Sequence, residues 1–288
     1  MIYFSILVIV VIIFLLYVRF ENTNLEVTYY AIKSKKIPNK FSRTTFVVLT
    51  DLHNNLFGKN NQVLVEEINK INPNFIIIAG DMIVGKRTED FQVSLSLISD
   101  LASKYTIYYS FGNHEQRMIP EGRYYNHRWE KYTEKLKQLD IKLLNNKSVK
   151  IIKEDESIFI SGLAIDLEYF YKNRSKKMTK DYLEEKLGKL DDKCYNILIA
   201  HNPLFFKKYI SFGSDLIISG HIHGGIVRLP IFGGVISPQY ELFPKYDAGR
   251  FEEGEQTMLI SRGLGTHTIK LRAFNRPELM VVTLERVH

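Results

Sequence analysis

The chain has 288 residues, of which 45% are hydrophobic, a fraction typical of a globular protein with a sizeable core. Its formal net charge of +7 predicts attraction to anions such as phosphates, acidic lipid headgroups or nucleic acid. Cys194 is the only cysteine, which excludes an intrachain disulfide. Much of the positive charge falls within residues 172–189 without the aromatic interleaving that single-strand binders use, so we expect no nucleic-acid partner.

An apolar segment opens the chain. Residues 2–18 carry no charge, are apolar apart from Ser5, and just reach the length that spans a bilayer. Because the flanks lack the basic start and small-residue cleavage site of a signal peptide, we predict an uncleaved single-pass anchor in the cell membrane, with a signal peptide as the alternative. The basic residues that follow favour a cytoplasmic over an extracellular catalytic domain. They are Arg19, Lys33, Lys35, Lys36, Lys40 and Arg43.

The first half of the chain alternates strands with helices. Residues 25–32 predict an edge strand, and apolar runs at 46–49, 75–78 and 107–109 predict buried strands. Helical spacing of apolar side chains predicts three amphipathic helices near residues 64–71, 91–102 and 129–139. This alternation predicts a mostly parallel sheet covered by helices.

After residue 145 the regular alternation of predicted strands and helices ends. Residues 149–152 and 158–161 predict a hairpin, and further strands end before His201 and Gly220. Short β-like segments follow at 226–229, 257–260, 268–271 and 279–284, which together predict a second sheet packed on the first. We therefore expect an α/β fold with an anchor at 1–20, a connecting segment with an edge strand at 21–43, and one catalytic domain at 44–288.

Polar side chains follow the predicted strands at their ends. In chain order these side chains are Asp51 and His53, Asp81, Asn113 and His114, His201, and His221 and His223. Because ligands of such sheets gather in the crevice at the carboxyl ends of the strands, we expect these side chains to lie close together. Carboxylate oxygens beside imidazole nitrogens suit divalent first-row metals.

The order of these motifs resembles the calcineurin-like metallophosphoesterases, and in particular their membrane-anchored bacterial phosphodiesterase branch. The motifs are Asp51-x-His53, Gly80-Asp81, Gly112-Asn113-His114-Glu115, the single His201, Gly220-His221-x-His223, and the later Ser-Arg-Gly-Leu-Gly at 261–265 and Asn-Arg-Pro-Glu at 275–278. The resemblance covers most of the chain after the anchor. It implies a sandwich of two mixed β-sheets flanked by helices.

The resemblance also implies a site for two divalent metal ions. The first metal would be held by Asp51, His53 and His223, the second by Asn113, His201 and His221, and Asp81 would bridge both. His114 would hold no metal and would act on the leaving group or transition state, with Glu115 as a candidate orienting partner. The oxygen and nitrogen ligands permit manganese, iron, zinc, nickel or cobalt, with manganese favoured.

The implied chemistry is hydrolysis of a phosphoester. Two metals would lower the pKa of a bridging water and give hydroxide placed for in-line attack on phosphorus. A protonated His114 would then supply the proton that a poor leaving group needs. A site beside a bilayer suggests a lipid-linked or nucleotide-lipid pyrophosphate, or a cell-wall phosphodiester if the domain faces outward. The alternative is a non-catalytic scaffold of the same fold at the membrane. Oligomeric state is not predicted.

Overall fold

The computed structural model describes residues 1–86, 91–119, 127–171, 177–229, 231–237, 240–266 and 270–287, which form seven α-helices and fourteen β-strands. The helices are α1 (Ile2–Thr23), α2 (Gln62–Ile71), α3 (Gln92–Ala102), α4 (Asn113–Met118), α5 (Arg128–Gln138), α6 (Lys180–Leu187) and α7 (Phe206–Phe212). The strands are β1 (Glu26–Ser34), β2 (Thr45–Leu49), β3 (Phe75–Ile78), β4 (Ile107–Tyr109), β5 (Lys142–Leu143), β6 (Lys147–Lys153), β7 (Glu156–Leu163), β8 (Tyr195–Ala200), β9 (Leu216–Ser219), β10 (Val227–Leu229), β11 (Gly233–Ile236), β12 (Gly249–Glu253), β13 (Gln256–Ile260) and β14 (Glu278–Arg286).

Two six-stranded mixed sheets carry the fold. The first has the order β1-β14-β2-β3-β4-β5, with β2 to β5 parallel and β14 antiparallel to β2. The second has the order β12-β13-β9-β8-β7-β6, with β7, β8, β9 and β13 parallel. The prediction of an α/β sandwich of two mixed sheets is therefore confirmed.

Alternation along β2 shows how the layers form. Phe46 and Val48 face the second sheet, in a buried cluster with Ile197 and Ile218 from β8 and β9. Val47 and Leu49, which point the opposite way along a strand, pack in the cluster that includes the apolar faces of α2, α3 and α5. Because both faces of β2 are buried, its sequence is a continuous apolar run rather than an alternating one.

Helices α6 and α7 cover the outer face of the second sheet. Leu183 of α6 and Phe206, Tyr209 and Phe212 of α7 pack in one buried cluster with strand residues such as Leu198. The sequence patterns did not predict α7, because its seven residues are too few to show a helical period.

The last strand corrects one prediction. We expected residues 279–284 in the second sheet, but β14 lies in the first sheet, where it pairs with the edge strand β1 and with β2. The reason is burial on both faces: Met280 and Val282 pack between the sheets, whereas Leu279 and Val281 pack under the helices. The 226–229 segment forms β10, which pairs with β11 in a separate hairpin. Two residues of the predicted 268–271 strand, 268 and 269, lie outside the described residues, and the other two are in no strand.

Helix α1 is the one candidate membrane span among the described residues. It is 22 residues long, has a mean hydropathy of 2.7, and its apolar window has no share buried against the protein. The helix continues to Thr23, three residues beyond the predicted end of the anchor at 20. Strand β1 begins at Glu26 and lies at the edge of the first sheet, as expected for the connecting segment.

Candidate metal centre

The predicted site residues meet in one crevice between the two sheets. They come from the carboxyl ends of β2, β3 and β4 in the first sheet and of β8 and β9 in the second. All eight side chains are buried, with exposed fractions of 0% to 8%: Asp51, His53, Asp81, Asn113, His114, His201, His221 and His223. Groups that are up to 172 positions apart in the sequence thus share one location.

One cluster of donor atoms contains Asp51, His53 and His223, whose ligand atoms lie within 4.8 Å of one another. The Nε2 atom of His223 is 3.2 Å from Asp51 Oδ1 and 3.2 Å from His53 Nε2. The His53 and His223 rings stack at a centroid distance of 5.1 Å. Two imidazole nitrogens and a carboxylate oxygen therefore point to a common position.

A second cluster contains Asp81, His201 and His221, again within 4.8 Å. The Nε2 atom of His201 is 3.0 Å from Asp81 Oδ2. The same oxygen is 3.9 Å from His53 Nε2 of the first cluster. Asp81 Oδ2 therefore lies within 4 Å of a ring nitrogen from each cluster.

A third combination of donor atoms includes His114. His53, Asp81 and His114 also lie within 4.8 Å of one another.

His114 differs from two of the predicted ligands in the orientation of its ring. The Nδ1 atoms of His201 and His223 lie 2.6 Å from the Ala79 carbonyl and 3.1 Å from the Gly265 carbonyl. Since a carbonyl only accepts, each Nδ1 donates, which leaves Nε2 as the atom that faces the clusters.

The His114 ring has the opposite arrangement. Its Nδ1 accepts the backbone N–H of Gly85 at 2.8 Å, so the neutral ring carries its proton on Nε2. That Nε2 lies 3.9 Å from Asp81 Oδ2, at the edge of the same crevice. In the neutral state His114 therefore presents an N–H donor to the site, which is the form suited to hydrogen-bond an oxygen of a bound ester.

Charge at the centre is dominated by two buried carboxylates. Burial raises the pKa of Asp81, but the nearby His201 and His114 outweigh it and hold the pKa well below its usual value. Burial likewise lowers the pKa of His201, but Asp81 and Asp51 raise it to about 10. Without another cation, a proton on His201 would compensate the carboxylates. A divalent cation would replace that proton, because metal ligands bind in their deprotonated form.

The residues present fit such cations. Asn113 is 2% exposed, and its side-chain carbonyl Oδ1 has no hydrogen-bond donor within the described part of the chain. A buried acceptor without a partner costs about 1–3 kcal/mol, which a metal ion in contact with this oxygen would offset. The complete donor set is two carboxylates, one amide oxygen and four imidazoles, which suits first-row divalent metals.

Backbone strain marks the same residues. Asp51, His53, Asp81, His221 and His223 all have a positive φ, between 47° and 73°. Non-glycine residues rarely adopt this left-handed conformation, and each such residue costs on the order of 1 kcal/mol or more. Their concentration at the ends of three strands indicates that the fold holds these side chains in place for a function rather than for packing alone.

Glu115 organises the loops of the first sheet. Its carboxylate accepts the backbone N–H groups of Asp81 and Met82 at 2.8 Å each and of Gly112 at 2.9 Å. The hydroxyl of Tyr109 donates a fourth bond at 2.8 Å. Burial, followed by the Asp81 charge, raises the pKa of Glu115 to about 7. Glu115 was expected to orient His114, but these bonds tie the Asp81 loop to the start of α4, and the Gly85 amide contacts the ring.

Two glycines allow the loops to approach this closely. A Cβ atom at Gly112 would overlap Asp81 Oδ1, and one at Gly220 would overlap Asp51 Oδ2. The carboxylates instead accept backbone amides at these places: His114 N–H donates to Asp81 Oδ1 at 2.8 Å, and His221 N–H lies 3.1 Å from Asp51 Oδ2. Each carboxylate is thus held by a backbone amide from the loop of another site residue.

Sequence reasoning missed the supports from the C-terminal segment. Asn275 donates its side-chain amide to the backbone carbonyls of His223, at 2.8 Å, and of Gly225. Arg272, which is 2% exposed, donates to the Gly265 carbonyl that also contacts His223 Nδ1. The Asn-Arg-Pro-Glu motif at 275–278 was a signal for the first of these, whereas Arg272 lies in no motif.

The same segment contacts the end of α1. The backbone N–H of Asn275 donates to Glu21 Oε2 at 2.8 Å, and Glu21 is 5% exposed. A carboxylate is rarely buried unless it is hydrogen-bonded. The last turns of α1 are therefore joined, through Asn275, to the loop that carries His223.

A comparison of the whole sequence with known families identifies the one to which this arrangement of site residues belongs. Residues 44–225, which include all eight site residues, match the family model described as calcineurin-like phosphoesterase. The chain belongs to this family. It is therefore an enzyme, a metal-dependent hydrolase of phosphoric esters, and the prediction of an enzyme rather than a scaffold is confirmed.

Relatives of this phosphoesterase match over most of its length. The uncharacterized metallophosphoesterase YkuE of Bacillus subtilis strain 168 is 26% identical over 282 residues, covering 93% of this chain and 89% of the relative. Phosphodiesterase YaeI of Escherichia coli K12 is 28% identical over 212 residues, 74% of this chain and 70% of YaeI. A Danio rerio transmembrane protein with metallophosphoesterase domain is 24% identical over 264 residues, 88% of this chain and 55% of the relative. A solved structure, a dimetal phosphatase from Danio rerio, is 11% identical with a TM-score of 0.45 over 84% of this chain and 99% of that one.

Proposed function

We propose that this phosphoesterase is a membrane-anchored phosphodiesterase with a dinuclear metal site. The first metal would be held by Asp51, His53 and His223, and the second by Asn113, His201 and His221, with Asp81 shared between them. The observation that carries this proposal is the position of Asp81 Oδ2, 3.0 Å from one cluster at His201 and 3.9 Å from the other at His53. The name of the similar YaeI favours a phosphodiester as substrate.

Each group of the site would have a distinct task. The bound metal pair would supply hydroxide near neutral pH and offset charge on the phosphate oxygens. His114 would hydrogen-bond the departing oxygen through its Nε2–H and so offset the charge that develops there. The protonated ring expected from the sequence does not fit this arrangement, because Nδ1 accepts the Gly85 N–H. Asn275 and Arg272 would keep the His223 loop in position without touching the substrate.

The test of this proposal is metal analysis of the full chain in detergent, combined with a panel of monoesters, diesters and pyrophosphates. We expect nearly two divalent ions per chain and preferential hydrolysis of a diester. Removal of the metals by chelation should abolish hydrolysis, and manganese should restore it better than magnesium. Full activity in the metal-free protein, or one ion per chain at saturation, would contradict a dinuclear site.

The location of the site favours a substrate at a lipid surface. We propose that residues 1–20 act as an anchor, 21–43 as a connector with an edge strand, and 44–288 as the catalytic domain. The apolar surface of α1 is left exposed by the domain, which supports insertion into a bilayer. A lipid-linked or nucleotide-lipid pyrophosphate is the substrate class that such an anchored enzyme would meet. In the panel above, faster hydrolysis of a pyrophosphate than of a diester would favour this class, whereas faster hydrolysis of a diester would favour a phosphodiester at the membrane.

The basic residues after the anchor support a cytoplasmic catalytic domain. The positive-inside bias counts Lys and Arg close to the apolar span, and Arg19, Lys33 and Lys36 follow the apolar residues 2–18 within its range. A reporter fused at the C-terminus should therefore be active only in the cytoplasm. A reporter that is active only outside the cell would contradict this orientation and would favour a cell-wall phosphodiester as the substrate.

A further inference from the structure

Exposed apolar side chains concentrate in one part of the domain. After α1, fourteen of the described residues are large, hydrophobic and exposed, and half of them lie between 229 and 243 or at 274. We call these seven residues the apolar rim: Leu229, Ile231, Phe232, Tyr240, Leu242, Phe243 and Phe274. Their exposed fractions range from 41% at Leu229 to 101% at Ile231, with 71% at Phe232 and 66% at Leu242. Contiguous apolar surface of this kind marks an interaction site.

Phe274 places the rim against the anchor. Its backbone N–H donates to the Tyr17 hydroxyl at 2.9 Å, and the two rings lie 5.7 Å apart. Tyr17 belongs to the uncharged apolar run and precedes the end of α1 at Thr23 by six residues. With a rise of 1.5 Å per residue, Phe274 lies about 9 Å along the helix from its end. The domain therefore reaches back beside the segment that would enter the bilayer.

The rest of the rim is attached to Phe274 through backbone pairing. Arg228 N–H donates to the Ala273 carbonyl at 3.0 Å, and Ala273 N–H donates to the Ile226 carbonyl at 3.2 Å. Strand β10, thus fixed beside Phe274, pairs with β11. The segment that follows β11 folds back on it, since Phe243 N–H donates to the Val235 carbonyl at 2.9 Å. The rim and the end of α1 are consequently one connected structure.

Basic side chains accompany this junction. The Arg276 guanidinium lies over the Phe20 ring at 5.9 Å, and the Asn22 side chain donates to the Lys270 carbonyl at 3.0 Å. Arg19, Lys270 and Arg276 are thus close to the end of the apolar run. Apolar and aromatic side chains with flanking Lys and Arg are the composition of surfaces that bind at a lipid headgroup layer.

We propose that the apolar rim is a second membrane contact, which inserts into the headgroup region of the bilayer that α1 enters. The proposal rests on the membrane anchoring proposed above. A lipid surface fits better than a protein partner, because the rim is continuous with a helix whose own apolar surface needs lipid. Strand β10 begins four residues after His223. A domain held by both contacts would therefore keep its metal centre close to headgroup phosphates rather than swinging on a single tether.

Tryptophan fluorescence in nanodiscs with brominated lipids tests this proposal. Trp129 is the only tryptophan, lies on the buried face of α5 with 8% of its surface exposed, and supplies a constant background in the full chain. Phe232→Trp and Leu242→Trp place probes in the rim. Ile152→Trp is the matched control, since Ile152 is 63% exposed and adjoins Lys153, which bonds Thr44 Oγ1 just before β2. The Thr44 carbonyl accepts the Leu284 N–H, and Leu284 lies opposite Ile32 near the end of β1 that is distant from the anchor. Leu15→Trp reports on the anchor itself.

We expect bromination of the lipids to reduce the emission of the probes at 232, 242 and 15, and to leave the probe at 152 unchanged. Quenching at 15 without quenching at 232 and 242 would overturn the rim contact while the anchor stands. Absence of quenching at 15 would overturn the anchoring on which it rests. Equal quenching at 152 and 232, or a rim probe shielded by a bound protein rather than by lipid, would also overturn the proposal.

Discussion

Asp81→Asn should abolish hydrolysis of phosphodiesters and reduce the metal content of the protein below two ions per chain. The substitution keeps the size of the side chain but removes a charge from the oxygen that lies between the two donor clusters, 3.0 Å from His201 Nε2 and 3.9 Å from His53 Nε2. An amide is a poor bridge between two cations, because only its carbonyl oxygen binds metal. The measurements are elemental analysis of the metals and kcat on an aryl diester.

The same chemical change at Asp140 is the control for this variant. The Asp140 side chain is 86% exposed and pairs with Lys142 on the surface, so Asp140→Asn should retain both metals and full activity. Asp81→Asn should remain folded by circular dichroism, because its backbone contacts to Glu115 persist. A folded Asp81→Asn protein with two bound ions and unchanged kcat would remove the bridging role and the dinuclear proposal with it.

His114→Asn should lower kcat by about 10²–10³-fold for esters with poor leaving groups, the range expected when one preorganised hydrogen-bond donor to the developing charge is lost. Asparagine preserves an acceptor for the Gly85 N–H, now 2.8 Å from Nδ1, but has no group at the position of Nε2. The loss should be much smaller for a 4-nitrophenyl ester, whose leaving group departs without a proton. Measuring kcat across a series of leaving groups therefore separates the interaction of His114 with the leaving oxygen from any general loss of structure in the active site.

The matched variant is His127→Asn. His127 is exposed, and its φ of 58° is a conformation that asparagine tolerates well, so we expect wild-type activity. Metal analysis of His114→Asn separates two roles, because His114 also lies within 4.8 Å of His53 and Asp81. Two retained metals with a leaving-group-dependent loss is the expected result. A lost metal, or the same loss for every ester, would exclude His114 as the hydrogen-bond donor to the leaving oxygen.

The convergence of the site was predictable because it follows from strand direction. Asp51, Asp81 and His201 each come just after a buried apolar run, and parallel strands bring such positions to one edge. The sequence did not determine equally well to which sheet the last strand belongs. Strand β14 is apolar on both faces, and this pattern fits the interior of either sheet. Its pairing with β2 depends on tertiary contacts, which the local sequence pattern does not reveal.

The supports of the site were harder to predict than its ligands. The Gly85 amide that orients His114 and the carbonyls bound by Arg272 are backbone groups, which every residue carries and which leave no mark in the sequence. Asn275 and Glu21 are 254 positions apart, so their contact is a matter of tertiary structure alone. Residue type indicates what a side chain is able to bind, whereas the fold decides which backbone atoms come within reach.

The bond between Glu21 and Asn275 has a practical consequence for enzymology. Truncation of an anchored hydrolase before its first folded strand is the usual way to obtain a freely soluble preparation. Here a cut at residue 20 would leave Glu21 at a fraying chain end, beside a new terminal ammonium group, and would remove Tyr17, the partner of Phe274. The shortened protein would lose the contact between Glu21 and Asn275 that supports the loop carrying His223. Its turnover numbers would therefore describe a less rigid active site than that of the full chain.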